Sequence, residues 1–298
     1  MSVKPKIIVI LGPTAVGKSD LAVVLARKYN GEVISADSRQ VYGGLDIGTG
    51  KITVEEMQGV PHHLLDVADP QTVFTVEHYK KLAQKAIIDI VKRGKVPIIC
   101  GGTGFYIHYL IDDVSIVDVP PNKALRTELS KKSVEALFEM LEDLDPDRAE
   151  NIDRQNPVRL IRAIEIATEL GKVPKVETNA PYEVLQIGID APDDLLKEKI
   201  KIRLEKRLAS GMVAEVEGLI AKGVSFERLF SLGLEYRYVS QYLKKEITEA
   251  EMKERLFFAI WHYVKRQRAW FKRDKRIVWC SLVDMKLIEE TMGKFLGL

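Results

Sequence analysis

Residues 6–19 read Lys6-Ile7-Ile8-Val9-Ile10-Leu11-Gly12-Pro13-Thr14-Ala15-Val16-Gly17-Lys18-Ser19, and their order decides the fold. The run from Lys6 to Leu11 is apolar and rich in β-branched residues, the pattern of a short buried strand. It passes directly into G-x-x-x-x-G-K-S. Residues 20–29 then carry Leu21, Val24 and Leu25 at helical spacing. In a strand, glycine turn and helix in that order, backbone N–H groups wrap phosphate oxygens. The helix start adds about half a positive charge. Lys18 is placed to neutralise terminal phosphates and Ser19 to ligate Mg²⁺. The loop alone does not say which phosphate compound it holds.

Outward from this unit, strand patterns recur at residues 32–36, 96–100, 184–189 and 276–280. Helical spacing fills residues 78–93, 195–209, 213–222 and 249–273 between and after them. Alternating strands and helices predict an α/β protein with a parallel sheet, ligands binding in the loops that follow the strands. Between residues 114 and 180 the strand signal disappears. Helical patterns at 123–130, 134–141 and 157–170 are separated by Pro-Pro, Asp-Pro and Gly-Lys-Val-Pro. The expectation is a P-loop NTPase-like core of residues 1–113 and 181–298, with a helical insertion at 114–180.

The 298 residues suffice for about two domains. With 46% hydrophobic and 30% charged residues the chain is not of the disordered class. No apolar run approaches the ~18 residues of a membrane span, and no signal peptide is evident. Two distant cysteines, Cys100 and Cys280, support neither a disulfide framework nor a zinc site. The expected compartment is the reducing cytoplasm. The net charge is +2, yet residues 253–276 alone carry nine Lys or Arg against Glu254 and Asp274. So local a basic block suits a surface facing a polyanion, or else a solvated helix face.

Two further loops follow strands. Asp37-Ser38-Arg39-Gln40-Val41-Tyr42 places a carboxylate across the sheet edge from the phosphate loop. Asp37 reads equally as a Mg²⁺ partner, a general base or a helix cap. Gly101-Gly102-Thr103-Gly104-Phe105-Tyr106 permits close backbone approach and exposes the Thr103 hydroxyl, or is an ordinary tight turn. His62 and His63 lack metal spacing and read as structural. Cys100 and Cys280 read as buried thiols at strand ends, and Asp46 and Glu165 as loop or helix-surface carboxylates.

Taken together, the segments GPTAVGKS, DSRQVY with LDIGTGK, VPHHLLD, GGTGFY, NPVRLIRAIE, Arg203…Gly211-Met-x-x-Glu215-Val and VKRQRAWF resemble the tRNA dimethylallyltransferases, also called tRNA isopentenyltransferases. They occur in family order from residue 12 to 271. Three places depart from the family pattern: Gly43, Gly48-Thr49-Gly50-Lys51-Ile52, and Gly233-Leu234-Glu235-Tyr236-Arg237.

The resemblance implies transfer of a dimethylallyl group from dimethylallyl diphosphate to N6 of the adenosine 3′ of a tRNA anticodon, with Mg²⁺. It implies that Gly12, Pro13, Thr14, Ala15, Val16, Gly17, Lys18 and Ser19 hold the diphosphate and that Ser19 meets the metal. Arg203 reaches the diphosphate, Asp37 is the general base, and Thr103 is the hydroxyl beside it. Contacts to tRNA fall on Asp37, Ser38, Arg39, Gln40, Thr103, Arg126 and the run Gln155, Asn156, Pro157, Val158, Arg159. Lys265, Arg266, Gln267 and Trp270 in the basic helix suit phosphate contact and stacking, and Trp270 reads at least as well as ordinary core. The partners implied are the anticodon stem-loop of tRNA and the prenyl donor, with no membrane and no obligate protein partner, so a monomer. Two rivals are a small-molecule or nucleoside kinase and an RNA-binding protein with a vestigial nucleotide site.

Overall fold

The computed structural model describes residues 4–298. Its sheet has six parallel strands: β1 (Lys6–Leu11), β2 (Gly31–Ser35), β3 (His62–His63), β4 (Val96–Gly101), β5 (Glu183–Ile189) and β6 (Ile277–Cys280). Their spatial order is β3-β2-β4-β1-β5-β6. β1 pairs with β4 in the register Ile10↔Cys100 and with β5 in the register Ile10↔Ile187. The phosphate loop therefore emerges from a central strand.

The central strands β1 and β4 are almost wholly apolar because both faces are covered, while β2 and β5 also bury Glu32, Ser35 and Gln186. Ile8 and Ile10 point into one core, with Leu21, Leu25, Ile200, Leu204 and Leu256. Ile7, Val9 and Leu11 alternate into the other, against Tyr79, Ile87, Tyr106 and Ile107. The helix Lys18–Lys28 lies over the first face. The helices Val76–Lys92 and Gly104–Ile111 cover the second. Glu249–Phe271, the long basic helix, starts at Thr248, whose hydroxyl and Glu251 form a capping box.

Contacts divide the chain into two compact units. One comprises the residues up to Asp113 with Ala180–Leu298, and the other is Val114–Asn179. The second unit has its own small core of Leu129, Leu137, Leu141, Leu160 and Ile164. Its helix Pro157–Leu170 begins at Asn156, whose side chain accepts the Arg159 N–H, with Pro157 at the first turn.

Several elements exceed the sequence reading. The two-residue edge strand β3 pairs with β2 through Val33↔His62. The helices Gly104–Ile111, Phe226–Leu232, Leu234–Leu243 and Met285–Leu296 were not foreseen. Among the described residues no helix is long and apolar enough to cross a membrane.

Candidate active site

The loop after β1 wraps tightly because Gly12 leaves no room for a side chain. A Cβ there would lie 2.1 Å from the Ile189 carbonyl oxygen. Further on, Ala15 takes a left-handed φ of 67° and Gly17 one of 95°. Such alternation turns successive N–H groups inward, the geometry of an anion nest. Lys18 and Ser19 then open the helix beneath. Lys18 Nζ donates to the Pro13 carbonyl at 2.5 Å. Burial, with Arg203 adding to it, pushes the Lys18 ammonium down to about 8.

A cavity of about 640 Å³ spreads over this loop, lined among others by Lys18, Ser19, Asp37, Gln40, Arg203 and Arg207. A second compartment of about 260 Å³ shares Thr14, Asp37, Arg203, Arg207 and Tyr263 with it and adds Ile200, Leu204, Leu232, Leu234 and Ile260. Both carry cations, and the second sets these five aliphatic side chains beside Arg39, Arg237 and Arg266.

Arg203 and Arg207 project from the helix Asp193–Ala209 one turn apart. Both guanidinium groups lie over Gly50, where a Cβ would meet Arg207 Nη2 at 1.9 Å and Arg203 Nη2 at 3.1 Å. Burial and the neighbouring Arg207 lower Arg203 to about 10. Arg207 donates to the Gly48 carbonyl and Glu235, each at 3.1 Å. Burial raises the Glu235 carboxyl above its ordinary range, against the pull of Arg207.

Asp37 follows β2. Its Oδ1 accepts the N–H groups of Arg39 at 2.8 Å and Gln40 at 3.3 Å. Asp37 thus organises its own turn and caps no helix. No partner of Oδ2 is present among the described residues. Thr103 Oγ1 accepts the Ser38 N–H at 3.0 Å, joining the loops after β2 and β4. Its own hydroxyl hydrogen remains to donate. The Asp37 loop, Thr103 and the phosphate loop thus meet at the carboxyl edge of the sheet.

Gln267 is buried, its Oε1 accepts the Thr14 N–H at 2.9 Å, and its Nε2 donates to the Gly102 carbonyl at 2.9 Å. It ties the basic helix to the phosphate loop at the wall of the larger cavity, with one N–H and one lone pair still unused. Lys265 and Arg266 are exposed and lie over the rings of Trp261 and Tyr263. Arg266 and Arg39 line the smaller compartment. Gln40 donates to the Gly50 carbonyl at 3.3 Å inside the larger cavity.

The remaining candidates lie in the other unit. Arg126 forms a forked pair with Glu165, through Nε to Oε1 at 2.9 Å and Nη2 to Oε2 at 2.7 Å. Glu165 also accepts from Arg162 and from the Asn122 N–H at 2.5 Å each. At 2% exposure it is a buried staple, which corrects its reading as a helix-surface carboxylate. Its three donors outweigh the cost of burial and hold it down to about 2. Gln155, Pro157, Val158 and Arg159 are exposed at the start of the helix Pro157–Leu170. Asn156 spends its side-chain oxygen on the cap.

The sequence reading did not single out Arg207, Glu235 or Tyr263, and it quoted Glu215 without assigning it a part. Glu215 accepts the N–H groups of Asp46, Ile47 and Gly48 and the Tyr236 hydroxyl. It fixes the loop that carries Gly50 under the arginines. The i, i+4 spacing of Arg203 and Arg207 was the available signal. His63 pairs with Glu32 at 2.8 Å and His62 Nδ1 meets the Val60 carbonyl at 2.9 Å. No cluster of three His, Cys, Asp or Glu able to hold a metal occurs among the described residues.

A phosphate nest, converging cations and a carboxylate at the carboxyl edge of a parallel sheet place the protein among P-loop α/β proteins that take a phosphorylated small molecule. Within that class the chain belongs to the IPP transferase family, which matches residues 40–274. It is 40% identical over 295 residues to a tRNA dimethylallyltransferase 1 of Syntrophus aciditrophicus, covering 96% of this chain and 97% of that protein. A crystal structure of a tRNA isopentenylpyrophosphate transferase from Bacillus halodurans superimposes with a TM-score of 0.76 at 36% identity, covering 99% and 97% of the two chains. A eukaryotic dimethylallyltransferase solved while acting on tRNA gives a TM-score of 0.77 at 26% identity, covering 93% of this chain and 74% of that one.

Proposed function

We infer that the protein transfers a dimethylallyl group from dimethylallyl diphosphate to N6 of the tRNA adenosine 3′ of the anticodon. The observation that carries this is one cavity holding Lys18, Arg203 and Asp37 together, with a second compartment beside it that adds Ile200, Leu204, Leu232, Leu234 and Ile260. A kinase would need no such aliphatic side chains next to its phosphates. Residues 12–19 hold the diphosphate, Arg203 and Arg207 face it from the opposite helix, and the five-carbon tail lies against these aliphatic side chains.

The acceptor amine is a weak nucleophile because its lone pair is shared with the adenine ring. As the N–C bond forms and the C–O bond breaks, N6 must lose a proton. Asp37 Oδ2 takes it. Thr103, held by Ser38, donates its hydroxyl hydrogen to orient that carboxylate or the adenine. The bonding pair leaves on the diphosphate, whose growing charge Lys18, Arg203 and the loop amides meet. Mg²⁺ keeps several waters and needs only one or two protein oxygens when it travels on phosphates. The exposed Ser19 hydroxyl on the cavity wall fits that requirement. A Mg²⁺ ion held by Ser19 and the diphosphate would supply charge neutralisation to the leaving group.

To present N6, the adenosine leaves its stack in the anticodon loop. Two buried free thiols, Cys100 and Cys280, fit a reducing cytoplasm, and the reading needs only a monomer. The test is to incubate the protein with unmodified tRNA, Mg²⁺ and either dimethylallyl diphosphate or ATP, then digest and weigh the nucleosides. Isopentenyl-adenosine from the first mixture supports the reading. Phosphate transfer from ATP, or no product, overturns it.

A further inference from the structure

A third cavity, of about 380 Å³, lies beside Trp270 and has no part in the reaction just described. We propose that it is a second base-binding station, which receives an unpaired nucleotide of the RNA substrate other than the acceptor adenosine. The proposal rests on the tRNA reading above and adds a place on the protein for a further base.

The cavity is large enough for a small ligand. Leu11, Ile107 and Ile277 give it an apolar floor, and the indole of Trp270 forms a wall. Trp270 cannot shift inward, because it packs on Gly104 so closely that a Cβ there would meet the indole at 2.2 Å. Outside it, the ring of Phe105 is 42% exposed and meets Trp270 edge-on at 6.3 Å. Phe105 in turn lies 4.3 Å from the Tyr109 ring. Aromatic surface at the rim of a base-sized hollow is what stacking of an unpaired base needs.

The charges around the hollow select a polyanion. Arg273 lies 5.9 Å over the Trp270 ring, and Lys275 also lines the cavity. Both are exposed, and neither has a carboxylate partner among the described residues. The acids nearby are already engaged. Asp274 accepts from Arg276 at 2.7 Å and from Gln186 at 3.0 Å. Asp112 accepts from Arg276 at 2.6 Å and meets His108 at 2.9 Å. Two uncommitted cations therefore stand beside a stacking wall, a combination suited to base and backbone of a single strand.

Position also fits. Phe105 is two residues beyond Thr103, and one helix presents both Tyr263 to the reacting compartment and Trp270 to this hollow. Seven residues of α-helix separate these two side chains by roughly 10 Å. A loop whose adenosine enters at Asp37 thus brings neighbouring nucleotides toward Trp270. The exposed side-chain cations suit the backbone of a strand, and a free mononucleotide is the rival occupant that the experiment tests.

The experiment uses the full chain and anticodon stem-loop RNAs carrying 2-aminopurine at one loop position at a time. The expected result is strong quenching at one position other than the acceptor. It should be lost in Trp270→Leu and weakened in Arg273→Ala. Phe105→Ala, a surface change that leaves the fold intact, should raise the KM for RNA by about 5- to 100-fold. Its kcat and its affinity for dimethylallyl diphosphate without RNA should stay within two-fold. No quenching outside the acceptor, or quenching that survives both Trp270→Leu and Phe105→Ala, overturns the proposal. So does saturable binding of free AMP at Trp270 that RNA fails to displace. The quenching arm reads binding, so absence of prenyl transfer would sink the functional reading and the KM comparison while leaving that arm to decide this proposal.

Discussion

A charge cluster flanks strand β2 at each end, one around the buried Glu32 and one half-buried, and the two are built in opposite ways. At its amino end Glu32, only 1% exposed, is surrounded by Lys95 at 2.7 Å, His63 at 2.8 Å and Arg93. Hydrogen bonds from Arg93 above all hold its carboxyl well below the usual range, against the cost of burial. Past its carboxyl end, Asp37 shares a cavity with Lys18, Arg203 and Arg207, and there burial pushes Lys18 and Arg203 downward. In the first cluster every charge improves the fold. In the second, Arg207 has Glu235 as an acid partner, but Lys18 and Arg203 are gathered against their own solvation and repulsion, an arrangement that an anionic ligand would make favourable. The difference separates structural electrostatics from functional electrostatics within one strand.

The sharpest break in this comparison is at Asp37, an acid of the functional cluster with no salt bridge among the described residues. Asp37→Asn keeps size and the bonds from Arg39 and Gln40 but cannot accept a proton. The single-turnover rate should fall by about 10²–10⁴ with both substrates still bound. Titrating Mg²⁺ against the mutant rate checks the role. Recovery to near wild-type rate at high Mg²⁺ would make Asp37 a metal partner instead.

Next in size is Lys18. Lys18→Ala should weaken dimethylallyl diphosphate by about 10- to 150-fold, the worth of one charge-assisted hydrogen bond, with tRNA affinity changed only a few-fold. The pH dependence has a definite sign. Lys18 in the free protein titrates near 8, and a bound diphosphate must raise that value. Donor affinity should therefore be level below pH 8 and fall above it, with proton uptake on binding. Calorimetry in buffers of different ionisation heat at pH 7.5 and 9 measures that uptake. Uptake that persists in Lys18→Ala would assign it elsewhere.

The structural end should respond in stability alone. Glu32→Gln removes the charge that orders Arg93, Lys95 and His63, and should cost about 1.5–3 kcal/mol in urea unfolding. Donor affinity should not move. Because the folded-state pKa of Glu32 lies below its unfolded value, its contribution is full above about pH 4.3 and fades as pH falls further. The mutant should accordingly lose less stability than wild type between pH 5 and 3. An equal loss would mean that Glu32 is not the titrating group.

Much of this was legible in the chain, and the reasons are local. The phosphate loop was readable because strand, glycines, lysine and serine are contiguous. Asp37 and Thr103 were readable as polar residues that end apolar runs. Their bond through Ser38 was not, since it joins loops 65 residues apart. The link from Gln267 to Thr14 and Gly102 was not legible, because its neighbours Lys265 and Arg266 are exposed and nothing in a helical run says which face a single amide takes. Glu165 was misread for the converse reason: its three donors come from Arg126, Arg162 and Asn122, and only Arg162 is close in sequence. Short helices such as Phe226–Leu232 and Leu234–Leu243 are separated by Gly233 alone and show too few turns for periodicity to register.

The smallest effect concerns the basic helix, where the two kinds of electrostatics occur side by side. Arg268 is committed to Asp190 at 2.8 Å and Asp193 at 2.5 Å, and Lys253 to Glu205 and Glu249. Lys265 and Arg266 rest on aromatic rings with no carboxylate partner among the described residues. Half of the block is thus part of the fold, and only the uncommitted cations are available to tRNA phosphates. Each phosphate contact releases counterions and contributes somewhat under one unit to the slope of log affinity against log salt. Lys265→Glu with Arg266→Glu should therefore flatten that slope by about 1.5, and weaken binding least at high salt. Arg268→Gln should leave the slope unchanged and lower thermal stability instead. Measuring tRNA affinity from 50 to 300 mM salt separates the two. A slope altered by Arg268→Gln and untouched by the double reversal would invert the assignment of committed and uncommitted charge along the helix.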